Sequence, residues 1–380
     1  MEICVSAPGK VILHGEHAVV YGKAAIAASL NLRCHLTVKT NTGSEVSLDL
    51  PDVKVHKKFL VTSMHNDLKN IDAGAVLDPS PASDEMIAAL KKYAGIDAGN
   101  TETKYLAVIA FLYTYYNIFK DKSELPVISL HMKSELPVGA GLGSSAAFSV
   151  CMSASLLQLA GNIGSEKQEN GTATWSDADK SIINKWAFIG EKVIHGRPSG
   201  IDNSVSTFGG ALRFQNGKIT LINQMPTLPV MLVNTKVPRS TMVLVAGLRE
   251  KYNVYPEIFD AVFLAVEAIT RKAEDIYKSL HDHYNPDDFS KLGDLIDLNH
   301  QMLNMMGVGH ASLDHIVAVA KEHGFHSKLT GAGGGGCAFV LIPPDTVDDR
   351  LQDLRQELEQ QGLEVWPNTS VGGHGVLQHL

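Results

Sequence analysis

Hydrophobic and polar positions fall into short runs at the start of the chain. Residues 2–6 and 11–13 predict two short strands around Ala7-Pro8-Gly9-Lys10, where Pro-Gly predicts a turn that points the lysine outward. The apolar run 24–39 ends in alternation from Cys34 to Lys39 and predicts another strand. Residues 46–50 predict a further one, closed by Pro51-Asp52. Residues 56–82 are polar and irregular and predict a variable excursion. Ser83-Asp84-Glu85 reads as the cap of a helix towards Tyr93, and residues 104–119 as a second helix rich in aromatic side chains. A strand over 126–132 leads into a glycine-rich segment, followed at once by a helix from Ser144 to about Leu159. The polar stretch 161–175 predicts a surface loop, and 177–194 an amphipathic helix.

Beyond Gly209-Gly210, short strands over 211–215 and 218–222 flank Asn216-Gly217, the strongest short hairpin signal. The pattern changes near Pro226 and Pro229, which predicts a boundary between a domain over 1–225 and one over 226–380. The second half opens with a strand over 230–235 and is mostly helical from Ser240 to about Gly324. It closes with a strand pair around the glycine run 333–336, a helix over 347–361 and a strand over 363–366. There is no internal repeat. The pattern predicts an α+β chain whose sheets are partly covered by helices.

Composition narrows the function classes. A chain of 380 residues exceeds one typical core, and 44% hydrophobic against 19% charged residues predicts a well-packed globular protein. The net charge of −8 argues against a nucleic-acid partner held by bulk electrostatics. No run of about 18 apolar residues predicts a membrane span. The start, Met1-Glu2-Ile3-Cys4, lacks the basic and apolar regions of a signal peptide, so a cytoplasmic protein is expected. Cys4, Cys34, Cys151 and Cys337 are scattered without CxxC spacing and predict neither a disulfide frame nor a zinc site. Asn170-Gly171-Thr172 and Asn368-Thr369-Ser370 match the glycosylation sequon, which carries little weight without secretion.

Candidate chemistry gathers in separated clusters. In Pro137-Val138-Gly139-Ala140-Gly141-Leu142-Gly143-Ser144-Ser145-Ala146-Ala147, glycines at alternating positions allow backbone N–H groups to turn inward. A helix starting at the serines adds its free N–H groups and the positive end of its dipole. Together these make a site for a phosphate chain, and the serine hydroxyls can reach an accompanying Mg²⁺. No Gly-Lys-Ser/Thr follows, so this is not a Walker loop. A flexible loop with an ordinary serine cap competes with this reading. Glu191 and Asp202 lie on either side of a Pro/Gly reversal, Gly196-Arg197-Pro198-Ser199-Gly200, which can bring both carboxylates to one site. One can hold Mg²⁺ while the other accepts a proton, the two tasks of phosphoryl transfer to an alcohol. For Asp202 the competing role is an N-cap. Glu191 is poorly placed for the dipole at a helix C-terminus, which favours a functional role. Lys10, taken alone, reads more readily as a solvated surface charge, and Glu16-His17 equally well as a turn network. The glycines of Lys328-Leu329-Thr330-Gly331-Ala332-Gly333-Gly334-Gly335-Gly336-Cys337 point to close approach by a ligand or another loop.

Pro8-Gly9-Lys10, the 137–147 loop and the 330–337 glycine run resemble the three motifs of the GHMP small-molecule kinases. Within that superfamily the resemblance is to the animal-type mevalonate kinases and covers nearly the whole chain. It is carried by residues 6–17, by 190–196 and 198–204, and by Asn234-Thr235-Lys236-Val237-Pro238-Arg239-Ser240-Thr241. It implies an N-terminal ribosomal-protein-S5-like domain with a left-handed βαβ crossover and a C-terminal ferredoxin-like domain, with the site between them. It implies ATP-dependent phosphorylation of the 5-hydroxyl of mevalonate, an early step of isoprenoid and sterol biosynthesis. Asp202 is then the general base and Lys10 the lysine beside the substrate hydroxyl and phosphate. Ser145 and Glu191 match the Mg²⁺ ligands. Ser134 and Gly139, Ala140, Gly141, Leu142, Gly143, Ser144 and Ser145 match nucleotide contacts. Glu16, His17 and Thr241, with Lys10 and Asp202, match the mevalonate pocket. Asp52 stands where mammalian members carry a nucleotide-contacting asparagine, and an acid cannot donate that amide hydrogen bond. A homodimer and feedback inhibition by prenyl diphosphates are also implied. Another GHMP kinase, such as one acting on phosphomevalonate, and a catalytically inactive binding protein on the same fold remain open alternatives at this point.

Overall fold

The computed structural model describes residues 1–137, 139–168 and 171–380. Val138 of the phosphate loop and Asn170 of the first sequon lie outside the described residues. The first strand, Glu2–His14, runs unbroken through the segment where a turn was expected. Its register against the strand Ala25–Thr40 shifts between Pro8 and Lys10 and again between Ile12 and His14. A bulge of this kind leaves a residue out of the ladder, which is where a proline without an N–H fits inside a sheet. Gly9 is needed there because a Cβ on it would lie 2.5 Å from Leu136 and 2.7 Å from the Leu142 carbonyl. Pro-Gly therefore lets the glycine loop lie against the strand instead of reversing it.

The whole run Ala25–Thr40 is strand, well beyond the alternating end that signalled it, and it pairs along its length with several neighbours. Glu45–Leu50 and Val55–Leu60 pair antiparallel, so the polar region 56–82 is partly regular, with a short helix, Val61–Asp67, after them. Only Val55 and Phe59 of Val55–Leu60 are buried, too sparse an apolar pattern to show through its lysines and histidine. The stretch 161–175 likewise holds a small hairpin, Ser165–Lys167 with Thr172–Trp175, whose Ala173 and Trp175 face inward. Its inner neighbour is the last strand, Leu377–His379, which returns to pair with Glu2–His14.

The other elements sit close to their expected places: helices Asp84–Tyr93, Thr103–Phe119, Ser144–Leu159 and Asp177–His195, and the hairpin Ala211–Gln215/Lys218–Ile222. Helix Ser144–Leu159 is buried on nearly every side, as its all-round apolar sequence requires. In the second half, Leu228–Asn234 lies between Cys337–Leu341 and Glu364–Val371, with His326–Leu329 beyond. Val230 and Leu232 pack into one core cluster while Met231 and Val233 pack into another. Burial of both faces accounts for the continuous apolar runs of these central strands. Helices Thr241–Val254, Pro256–Asp282, Pro286–Met306, Ala311–Glu322 and Asp348–Gln360 complete this half. The strands of the two halves meet where Leu377–His379 pairs with Glu2–His14 and Thr172–Trp175, and at the pair Val371 with Leu30. No helix among the described residues is long and apolar enough to cross a membrane.

Candidate active site

A cavity of about 1110 Å³ opens between the halves and is lined from both. Its floor is the glycine loop. Gly139, Gly141 and Gly143 adopt φ of 76°, 76° and 79°, a left-handed conformation that costs glycine little. Between them Ala140 and Leu142 are buried, so alternate residues anchor the loop while the glycines line the cavity. Ala140 and Leu142 thus contribute backbone and packing and do not line the cavity themselves. The Leu142 carbonyl accepts a hydrogen bond from the Lys10 N–H at 2.8 Å, tying the loop to the bulge of the first strand. Helix Ser144–Leu159 starts directly after Gly143, which places its first N–H groups and dipole at the same spot.

Lys10 and Asp202 come together above Gly143, with Nζ 3.3 Å from Oδ1. A Cβ on Gly143 would lie 3.0 Å from the Lys10 side chain and 3.8 Å from Asp202 Oδ2. Asp202 lies in the first turn of the helix Ile201–Phe208, whose N-cap is Gly200, so the capping role is not one it fills.

Glu191 projects from the last turns of helix Asp177–His195 and is buried. Its two oxygens accept from Ser145 Oγ (3.2 Å) and Ser149 Oγ (3.4 Å). Burial, and next the negative charge of Asp202, push its carboxyl up to about 8, a tendency only partly offset by the serine hydroxyls and Lys10. No ion-pair partner touches it among the described residues. A divalent cation on Ser145 and Glu191 would supply the missing positive charge, so this donor set fits Mg²⁺. No cluster of three or more His, Cys, Asp or Glu suited to a metal occurs among the described residues. Two protein oxygens suffice for an ion which keeps waters and takes phosphate oxygens beside one or two protein ligands. His195, which the sequence reading did not single out, bonds Ser145 Oγ through Nε2 at 3.0 Å.

The opposite wall carries Glu16 and His17, with Thr241 at its edge. Glu16 lines the cavity but its carboxylate is already engaged. One oxygen pairs with the fully buried Lys328 and the other is 3.5 Å from Asn299 Nδ2. Asn299 Oδ1 and Tyr277 then flank the buried His14 at 3.3 and 3.0 Å. Burial, followed by the nearby Lys328 charge, lowers His14 to about 3, so its imidazole is neutral. His17 has φ of 59°, a strained value for a residue with a side chain, and its Nε2 lies 2.8 Å from the Ala332 carbonyl. A carbonyl only accepts, so Nε2 carries the proton. Nδ1 is left as a buried acceptor without a partner among the described residues.

On the far side of the loop, Ser134 Oγ turns back onto the Leu136 backbone, and the Ser134 N–H donates to Asp52 Oδ2 at 2.8 Å. Leu50, Val53, Ala107 and Met132 form an apolar wall there. Helix Thr103–Phe119 contributes only its first turns to it, because Val108–Phe119 is committed to the core.

Models of the GHMP kinase N-terminal domain and of the GHMP kinase C-terminal domain match residues 107–210 and 272–360. The chain is 44% identical to the mevalonate kinase of cattle (Bos taurus) and 43% identical to that of human (Homo sapiens). Each alignment covers 99% of this chain and 95% of the relative. It belongs to the mevalonate kinase family. The solved mevalonate kinase of Methanococcus jannaschii has the same fold, with a TM-score of 0.69 at 22% identity over 100% of this chain and 99% of its own. Among these enzymes the two-domain α+β fold of the GHMP kinases is the common frame, and ATP is the phosphoryl donor that kinase chemistry implies.

Proposed function

We propose that this protein transfers the γ-phosphoryl group of ATP to the 5-hydroxyl of (R)-mevalonate, giving 5-phosphomevalonate and ADP. The observation that carries the reading is the Lys10–Asp202 pair held directly over Gly143 of a glycine loop that leads into a helix N-terminus. A phosphate chain lying on the loop N–H groups presents its terminal phosphorus to that pair. Asp202 accepts the proton of the primary hydroxyl, and Lys10 favours the forming alkoxide and the charge growing on the transferred oxygens. Ser145 and Glu191 would hold Mg²⁺, which supplies positive charge to the β- and γ-phosphate oxygens when bound. His17 offers its free Nδ1 to a substrate hydroxyl from the wall that also carries Thr241. Positioning and charge stabilisation carry most of the rate, since phosphoryl transfer asks little covalent chemistry of the protein.

The same loop reads phosphates through backbone dipoles and so does not separate a nucleotide's diphosphate from a lipid's. The wall of Leu50, Val53, Ala107 and Met132 offers apolar surface on the nucleotide side. This supports inhibition by prenyl diphosphates in competition with ATP. The reading is tested by coupled ADP release with mevalonate, galactose, homoserine and phosphomevalonate as acceptors. Turnover with mevalonate at least about a hundredfold above the others is expected, a difference of about 2.7 kcal/mol in transition-state binding. Preference for any other acceptor overturns it.

A further inference from the structure

The mechanism leaves several charged side chains of the cavity unused, and one of them bridges its two glycine loops. Arg239, half-buried between the strand Leu228–Asn234 and the helix Thr241–Val254, reaches across the gap between the two glycine loops. One terminal nitrogen donates to the Ala140 carbonyl in the phosphate loop at 2.7 Å. The other donates to the Gly335 carbonyl in the second loop at 3.0 Å. Both loops are shaped to receive it. A Cβ on Gly141 would lie 2.1 Å from one terminal nitrogen, and a Cβ on Gly336 would lie 1.4 Å from the other. These glycines therefore account for part of each motif by the room they leave for a guanidinium. No carboxylate lies within ion-pair distance of Arg239 among the described residues, so its charge is spent on carbonyls alone. The planar fork spans two fixed acceptors, a geometry that a lysine cannot reproduce.

We infer that Arg239 is a positioning residue for phosphoryl transfer, clasping the phosphate loop to the second glycine loop and so setting the height of the Gly139–Gly143 backbone beneath the nucleotide's phosphates. The loop's own anchors, the buried Ala140 and Leu142 and the bond from Leu142 to Lys10, all belong to the first half of the chain. Arg239 is the contact that fixes the loop from the side carrying Thr241. Nucleotide affinity is thereby built partly by a residue from across the cleft. This rests on the loop being the nucleotide site, and its first measurement, MgADP binding, needs no acceptor substrate.

Binding of MgADP to the full-length protein is measured by calorimetry for wild type, Arg239→Met and Arg239→Lys, with steady-state kinetics on the same preparations. Methionine keeps much of the stem's volume, and lysine keeps the charge without the fork. Both variants are expected to bind MgADP at least about tenfold more weakly, with kcat reduced to a similar extent and the mevalonate KM within about threefold, as loss of a bidentate contact predicts. Gly336→Ala, which displaces the guanidinium without altering it, is expected to give the same weakening. Should Arg239→Met not fold, Arg239→Gln keeps one donor for Ala140 and carries the measurement. MgADP affinity within twofold of wild type, whatever the melting temperature does, overturns the clasp. So does a rise confined to the mevalonate KM, which would make Arg239 a receptor for the substrate carboxylate. A wild-type protein that fails to bind MgADP defeats the reading of the loop itself and the clasp with it.

Discussion

Two lysine–carboxylate pairs lie in this cleft and differ in one physical respect. Lys328 and Glu16 are sealed, their side chains 0% and 1% exposed. The lysine also donates to the Leu329 carbonyl at 2.7 Å and lies over the Phe339 ring. Lys10 and Asp202 stand at the cavity wall, 11% and 36% exposed and 3.3 Å apart, with room for a third group. A sealed pair whose remaining donors and acceptors are matched has nothing to exchange, so it fixes the wall that carries His17. An open pair can trade its partner for a hydroxyl and a phosphoryl oxygen, so it is the one that can do chemistry. The first pair joins the halves through strand ends, Glu16 just beyond Glu2–His14 and Lys328 within His326–Leu329.

The contrast breaks first on stability. Removing one member of a buried pair strands the other charge, a loss of about 3–5 kcal/mol. Lys328→Met is therefore expected to lower unfolding free energy by that much in urea titrations, while Glu16→Gln combined with Lys328→Met recovers a large part of it. Single variants that each cost under about 1 kcal/mol would show that the pair is not sealed in solution.

The open pair answers in rate. Asp202→Asn keeps shape and part of the hydrogen bonding but cannot take a proton, and kcat is expected to fall at least about 10²-fold with both substrate affinities within a few-fold. The melting temperature should hardly move, because Asp202 is about a third exposed and asparagine keeps its shape and an acceptor for Lys10. A folded variant that keeps more than about a tenth of wild-type turnover assigns the base elsewhere.

How much of this was legible in the chain follows the range of the interactions. The helix Ser144–Leu159 and the glycine loop before it are local patterns, and their residues read directly. Lys10, Ser145, Glu191 and Asp202 could be nominated from local conflicts and from family likeness, and the fold brings them into one cavity wall and its immediate backing. The bulge at Pro8 was not legible, because proline and glycine signal a turn unless a second segment is known to lie against them. Asn299 carried no signal, and Lys328 and Arg239 stood inside quoted motifs that gave them no role of their own. Their partners lie 283, 312 and 99 residues away in the chain, and local pattern does not reveal which residue each one meets. His195 is the exception: it shares a helix face with Glu191, four residues earlier, and that spacing was available to the eye.

Glu191 sharpens the comparison from a third position, as a buried carboxylate with no lysine in ion-pair contact among the described residues. Burial holds its carboxyl at about 8 instead of 4.5, so the folded protein keeps a proton there that the unfolded chain has already released. The contribution of Glu191 to the stability of the metal-free protein is therefore fully present below about 4.5 and is lost as pH rises through about 8. Glu191→Gln, which cannot ionise, should flatten that slope in thermal melts across the same range. The Mg²⁺ concentration for half-maximal rate should rise about tenfold in this variant and stay unchanged in Asp202→Asn. An unaltered Mg²⁺ dependence would remove Glu191 from the metal site.

The smallest expected effect lies at Asp52, an exposed carboxylate on the nucleotide side of the cavity. Its Oδ2 accepts from the Ser134 N–H at 2.8 Å, a bond that an asparagine oxygen can also accept. Asp52→Asn therefore keeps this bond while removing a negative charge that faces an incoming polyphosphate, and adds an amide donor. Both changes act in the same direction. The ATP KM is expected to fall about two- to threefold at low salt, with kcat unchanged. Because the charge is exposed, the gain should shrink at ionic strengths where screening acts over about 8 Å or less. Inhibition by farnesyl diphosphate should strengthen by a similar factor if that anion shares the loop, since the same repulsion is relieved. A lower ATP KM that persists at high salt would credit the new amide donor and not the lost charge. A KM that rises would mean that the carboxylate itself meets the nucleotide, accepting from the ribose or the base, and would move Asp52 from the rim of the site to its interior.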